Sequence, residues 1–271
     1  MTLRTRPRVM GIVNVTPDSF SDGGMHATPE AGLAQAMRLI GDGADILDIG
    51  GESTRPGSEP VSAAEEIART APVIAEIQAR WNGPISIDTM KPEVARAAVA
   101  AGAAIWNDVT ALTYAPDAVE VAAELGCEVI LMHMLGEPRS MQVEPRYQDV
   151  VAEVTAYLLE RAEAAMAAGV ARDRITLDPG IGFGKTMEHN LALIGRLETL
   201  GALGFPVLLA ASRKRMIRNI DPSAVEANDR LGGSLAIALE GARRGAAVIR
   251  VHDVRETVQA LAVQAAITAA T

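Results

Sequence analysis

The sequence predicts an α/β fold, a closed TIM-type (β/α)8 barrel with its active site at the C-terminal ends of the strands. Three observations carry that expectation. Eight short apolar runs alternate with helix-forming segments, and no linker or low-complexity stretch interrupts them. Each run delivers a polar residue at or near its end: Asn14, Asp48, Asp88, Asn107, His133, Asp178, Ser212 and His252. These ends recur on average about every 34 residues, close to the ~30 or more of a strand–helix–strand unit. An open doubly wound sheet is the alternative, but it does not need a polar residue at the end of every strand. The chain is read as one domain over residues 1–271, long enough to bury a sizeable core.

Residues 9–14 are nearly all apolar, as a strand buried on both faces requires. A polar loop follows over residues 16–24. Thr28 and Pro29 then read as N-cap and first position of a helix with Leu33, Met37 and Ile40 on one face. Residues 45–50 are the second strand, and Ser62 with Glu65 reads as a capping box for the next helix. Residues 85–88 are the third strand, followed by a helix from about Pro92 to Ala101 that Gly102 stops. Residues 104–107 and 129–133 are the fourth and fifth. A long loop and a helix over about 147–168 come next, then strands at 175–178, 207–212 and 248–252. Asp253 and Glu256 read as the start of the closing helix.

Composition narrows the function classes. Apolar residues make up 49% and aromatics only 3%, so the core is built from Ala, Val, Leu, Ile and Met. With 34 acidic and 25 basic side chains the net charge is −9, which disfavours non-specific nucleic-acid binding. No apolar run approaches a membrane span, and no apolar signal core follows the basic start. The single Cys127 cannot form an internal disulfide, and a cytoplasmic setting is expected.

In a barrel the strand ends meet on one rim, which gathers Asn14, Asp88, Asn107, Asp178, Ser212, Lys214, Arg250 and His252. Arg250, Lys214 and His252 suit a phosphorylated ligand. Asn14 and the loop carrying Asp22 could hold Mg²⁺ through oxygen and water. Asp88, Asn107 and Asp178 match a heterocycle with adjacent N–H donors, such as a 2-amino-4-oxo ring. A glycosidase-like carboxylate pair would use the same residues but leaves the cations unexplained. The glycine-rich loop after Asp178 is no nucleotide cradle. A P-loop would need glycine at Pro179, and a dinucleotide motif needs G-x-G-x-x-G where this chain has G-x-G-x-G.

Eight stretches, in order and over nearly the whole chain, resemble the motifs of the dihydropteroate synthase family. They are residues 10–24, 48–57, 86–89, 107–109, 131–134, 177–185, 211–215 and 250–254. The resemblance implies a TIM barrel that joins 6-hydroxymethyl-7,8-dihydropterin diphosphate to 4-aminobenzoate and releases diphosphate. It implies that Asp88, Asn107, Asp178 and Lys214 hold the pterin edge. Asn14, Arg250 and His252 would hold the diphosphate, with Asn14 also on Mg²⁺. Ser212, Phe183 and Lys214 would border the aminobenzoate. Loops carrying Asp22 and Thr54-Arg55-Pro56 would close over the site. Of these, Asp88, Asp178, Lys214, Arg250 and His252 are the candidate catalytic residues. The chain departs from the family at Thr110-Ala111, where glycine is commoner, so the backbone there is expected to differ. A homodimer through the helices around Leu231–Leu239 and the alanine-rich end is also implied. The rival readings are a pterin-binding methyltransferase-like barrel, an inactive pterin-binding paralogue, and an aldolase using Lys214 or Lys185 as a Schiff-base amine.

Overall fold

The computed structural model describes residues 6–16, 29–53, 59–136 and 144–270. Its strands are β1 (Arg8–Asn14), β2 (Ile46–Gly50), β3 (Ile85–Asp88), β4 (Ile105–Asp108), β5 (Glu128–Met132), β6 (Ile175–Asp178), β7 (Leu208–Leu209) and β8 (Val248–Val251). All pairings are parallel, in the order β6-β5-β4-β3-β2-β1-β8-β7. The last seam is spanned by a bridge between Leu177 and Val207, and the Leu177 N–H donates to the Pro206 carbonyl at 2.9 Å. The sheet thus returns on itself as the predicted barrel.

The helices are α1 (Pro29–Gly41), α2 (Ala63–Gln78), α3 (Pro92–Ala100), α4 (Ala118–Leu125), α5 (Val150–Ala168), α6 (Met187–Gly195), α7 (Leu197–Gly201), α8 (Arg215–Ile220), α9 (Leu231–Arg243) and α10 (Val254–Ala269). The cues above do not mark α4, α6, α7 or α8 individually. Burial splits into two apolar clusters. The larger lies between strands and helices. The smaller comprises Met10, Ile46, Ile105, Ile130, Leu208, Ala210 and Val248 and plugs the barrel interior. Side chains along a strand alternate between faces, so the residue two after a plug residue also faces inward. Two after Ile46 comes Asp48, two after Ile105 comes Asn107, and two after Val248 comes Arg250. The apolar plug therefore sets the register of the polar layer above it.

Several local expectations shift. The buried residues of α1 are Gly32, Ala36 and Leu39, while Met37 is exposed. The stripe that faces the barrel lies one position before the one read from the larger side chains. Pro29 does open the helix, but Thr28 and most of the preceding loop lie outside the described residues. Half of the capping box at α2 forms: the Ser62 hydroxyl accepts from the Glu65 N–H at 3.2 Å. The Glu65 carboxylate pairs with Arg69 one turn on instead of turning back. Helix α5 starts at Val150 because Asp149 caps it, accepting from Val151 and Ala152 at 3.0 and 3.3 Å. Strand β7 is two residues long, not six, because its β6 side has a single bridge and no ladder. Asp253 does not cap α10, since its carboxylate is taken by the Arg213 guanidinium.

A buried ionic triad supports the rim beside β2. Lys91 pairs with Glu52 and, at 2.6 Å, with Glu66, whose side chain is 0% exposed. Glu52 also accepts from the Val61 N–H at 3.4 Å, tying together the two chain segments on either side of residues 54–58. Burial raises the Glu66 pKa, and the Lys91 ammonium opposes it. Removing one partner of a buried pair leaves an uncompensated charge. Lys91→Met should therefore lower unfolding free energy by about 3–5 kcal/mol in urea titrations. Adding Glu66→Gln to that variant should recover part of the loss, and strictly additive losses would contradict the coupling.

Candidate active site

The inward polar layer is held by one guanidinium. Arg250 of β8 donates from Nε to Asp48 of β2 at 2.5 Å and from Nη2 to Asp88 of β3 at 2.6 Å. The Asn107 amide of β4 donates to the same Asp48 oxygen at 3.2 Å. Four strands thus converge on two carboxylates. Each keeps a buried oxygen, Asp48 Oδ1 and Asp88 Oδ1, with no hydrogen-bond partner among the described residues. Burial pushes Asp88 up from 3.8 to about 7; Arg250 pulls it down and Asp48 pushes it further up. Arg250 is likewise desolvated, yet the two carboxylates hold it above the usual arginine value.

Asp178 enters the same layer at the end of β6. It is buried, and its Oδ1 accepts from the Gly180 N–H at 2.7 Å. Its pKa is raised by burial against the Gly180 hydrogen bond and the charges of Lys214, Arg250 and Lys185. The loop that follows needs its first glycine. Gly180 has φ +67°, and a Cβ there would lie 1.9 Å from the His133 carbonyl oxygen. Lys214, the residue before α8, donates its ammonium to the Ile181 carbonyl and lies 4.4 Å from the Phe183 ring centroid. Burial lowers Lys214 from 10.5 to about 8, with Asp178 acting against it.

The remaining rim residues separate into smaller groups. His252 lies one past β8 and meets Ser212, with Nδ1 and Oγ 3.1 Å apart and its N–H donating to that Oγ at 3.2 Å. Asn14 ends β1. A Cβ on Gly50 would meet Asn14 Oδ1 at 3.7 Å and Asp88 Cβ at 3.8 Å, so these two side chains flank the glycine. Asp22, Thr54 and Arg55 lie outside the described residues.

Two features go beyond the sequence reading. Asp48 is the shared anchor of Arg250 and Asn107, although it is absent from the predicted site set. Its signal is a carboxylate inside Ile-Leu-Asp-Ile-Gly, a strand whose every residue is buried. At the Thr110-Ala111 departure, Ala111 and Leu112 adopt φ +53° and +61° without glycine. Asp108 holds that turn, accepting from the Thr110 N–H at 2.7 Å and the Leu112 N–H at 2.8 Å. Arg161 of α5 fixes the far side by donating to the Ala111 and Leu112 carbonyls at 3.0 and 3.3 Å.

Carboxylates and an amide gathered at the strand ends, with cations on the same rim, suit a flat N–H-rich ring carrying an anionic group. The model of a family described as pterin binding enzyme matches residues 10–252. The dihydropteroate synthase of Escherichia coli K12 is 48% identical over 262 residues, covering 96% of this chain and 91% of that protein. The chain belongs to the dihydropteroate synthase family. Two solved dihydropteroate synthases from Xanthomonas albilineans agree. One, with 4-aminobenzoic acid, has TM-score 0.92 and 52% identity, covering 97% of this chain and 94% of that one. The other, in complex with 7,8-dihydropteroate, has TM-score 0.89 and 49% identity, covering 99% and 96%. Like them, this dihydropteroate synthase family member is a transferase.

The Asp88 shift carries a sign that can be measured. Between its unfolded value near 4 and its folded value of about 7, the unfolded chain has lost the proton and the fold keeps it. The contribution of this group to stability thus declines as pH rises through that window and is flat above it. Asp88→Asn removes the decline. Urea unfolding from pH 4 to 8 should show the variant gaining on the wild type up to about pH 7. A difference independent of pH would contradict the assigned shift.

Proposed function

We propose that the chain condenses 6-hydroxymethyl-7,8-dihydropterin diphosphate with 4-aminobenzoate to give 7,8-dihydropteroate and diphosphate, in folate synthesis. One observation carries the reading: Asp88, Asn107 and Asp178 sit in one buried layer with Arg250 and Lys214. The free Asp88 oxygen and the Asp178 carboxylate can accept N–H groups from a pterin edge. The methyltransferase-like alternative needs no diphosphate clamp, so Arg250 and His252 count against it.

The chemistry follows from where charge develops. As diphosphate leaves the pterin methylene, the C–O bond breaks and positive charge spreads into the ring. Asp88 and Asp178, fixed at the C-terminal ends of β3 and β6, favour that cation. Arg250 is held between Asp48 and Asp88 through Nε and Nη2, which leaves Nη1 outside both ion pairs; in this reading it would meet the leaving group. Lys214 adds positive charge nearby, and the His252 imidazole offers a further hydrogen-bonding group. The arylamine is already neutral near pH 7, so its nitrogen attacks the methylene without a strong general base and then sheds a proton to solvent or diphosphate. Phe183 and Ser212 would flank it.

Mg²⁺ is part of this proposal. Asn14 offers one hard oxygen beside Asp88, and no group of three His, Cys, Asp or Glu is placed to cage a metal among the described residues. That donor set fits an ion that keeps several waters and shares substrate oxygens. When bound, it would neutralise charge on the diphosphate, with Asn14 as its protein ligand. Asp22, Thr54 and Arg55 are proposed to contact the substrates.

The proposal also includes a homodimer in a cytoplasmic setting. Val263 and Ile267 of α10 are exposed apolar side chains, Cys127 is a free buried thiol, and no described helix is long and apolar enough to cross a membrane. Light scattering should give twice the chain mass.

The deciding test is diphosphate release with both substrates and Mg²⁺. Release that requires 4-aminobenzoate is expected; pterin binding without release would mark an inactive paralogue. Asp178→Ala should weaken pterin binding by about 100-fold or more in calorimetry, since charge-assisted hydrogen bonds are worth ~1.5–3 kcal/mol each. Unchanged affinity would remove Asp178 from the pterin site. Arg250→Ala should mainly slow diphosphate departure, lowering kcat more than pterin affinity.

A further inference from the structure

Lys185 is a buried cation that the chemistry above does not use. It is 3% exposed, and no carboxylate lies within ion-pair distance of it among the described residues. Burying an ammonium with no counter-charge is costly. Burial accordingly pulls its pKa from 10.5 down to about 7, against the more distant pull of Asp178. Such a cost calls for a specific geometric role.

The ammonium has three N–H donors and meets three neutral acceptors. These are His133 Nδ1 at 2.9 Å, the His133 carbonyl at 3.2 Å and the Phe183 carbonyl at 3.0 Å. With Nδ1 as acceptor, the imidazole is neutral and carries its proton on Nε2; burial and Lys185 together hold His133 down to about 3. The acceptors come from two segments, the end of β5 and the loop after β6. The same two segments touch at two further points. The His133 N–H donates to the Asp178 carbonyl at 3.1 Å, and a Cβ on Gly180 would strike the His133 carbonyl. The Tyr147 hydroxyl holds the next peptide, donating to the Gly184 carbonyl at 2.9 Å.

What this clamp fixes is Phe183, whose ring lies beneath the Lys214 ammonium. We propose that Lys185 is a positioning residue for the arylamine half of the site. By pinning the Phe183 peptide to His133, it sets the Phe183–Lys214 pair against which the second substrate packs. The inference rests on the function proposed above. It also accounts for Lys185 better than Schiff-base chemistry does, because all three N–H groups are spent on the protein.

Lys185→Met keeps the length of the side chain and removes its donors and charge. Two measurements on the full chain then decide. Hydrogen exchange should quicken tenfold or more at the amides of residues 181–185 while strands β1 to β4 keep wild-type rates. The KM for 4-aminobenzoate should rise about tenfold, with kcat and calorimetric pterin affinity each within threefold of wild type. A variant with Lys185→Gln, which keeps two donors, should show smaller changes in the same direction and guards against poor folding of the first. Unchanged exchange in both variants overturns the clamp. A proportional loss in KM, kcat and pterin affinity, with faster exchange throughout the barrel, makes Lys185 a general structural residue and also overturns the proposal. A wild type that releases no diphosphate with 4-aminobenzoate sinks the functional reading and with it the arylamine role. The exchange comparison still shows whether Lys185 holds the loop.

Discussion

The fork of Arg250 between Asp48 and Asp88 is the constraint on which the upper barrel depends. It reaches from the last strand across β1 to the second and third, so it forms only when the end of the chain has paired with its beginning. Its energetics argue against a purely stabilising role. Buried ion pairs can often be replaced by apolar side chains with no loss, whereas removing one partner costs about 3–5 kcal/mol. Against a total stability of ~5–15 kcal/mol, retaining such a cluster inside a barrel is expensive. The apolar plug one layer below shows what the interior looks like where no chemistry is needed: Met10, Ile46, Ile105 and Val248, with no charge among them. The polar layer is placed by the same two-residue alternation that builds the plug.

That alternation explains how much was legible in the sequence. A strand's inward positions follow from its apolar pattern, so Asp88, Asn107, Asp178 and Arg250 could be placed on one rim before any pairing was known. Their partners could not. Arg250 and Asp48 are 202 residues apart, and nothing local to either names the other. The same limit explains the cap of α10, where Asp253 has the right side chain in the right place but is drawn to Arg213 from another strand end. Strand β7 is shorter than the apolar run 207–211 suggests, because strand length depends on neighbours able to form a ladder. The glycine-free turn at Ala111 stands out in the sequence as a departure from the family. Its solution, Asp108 inside the turn and Arg161 outside it, is tertiary.

Desolvation acts on both signs of charge in this site and moves them toward one another. Asp88 rises to about 7 while Lys214 falls to about 8 and Lys185 to about 7. In an exposed site these groups would be fully ionised at neutral pH, and solvent would screen them. Here burial brings each close to losing its charge, and opposite charges nearby act against it. Lys214 has the Ile181 carbonyl and the Phe183 ring, and Lys185 has three neutral acceptors. Asp88 keeps one oxygen with no partner. The two lysines are therefore satisfied by the fold, whereas the carboxylate is left to be completed from the barrel mouth.

This asymmetry locates the work within the glycine-rich loop. Its glycines let the backbone pass against His133, and its carbonyls take up the two ammonium groups. The loop therefore binds cations of the protein itself rather than a phosphate, in keeping with its departure from both nucleotide-binding patterns. In the proposed reading anion recognition would fall to the arc of β8 and β1, where Arg250 lies in the last strand and His252 just past it, beside the first strand that ends at Asn14. A ring held at the carboxylates would have its diphosphate on that arc and its second substrate against Phe183. The reacting methylene would then lie between the leaving group and the incoming amine.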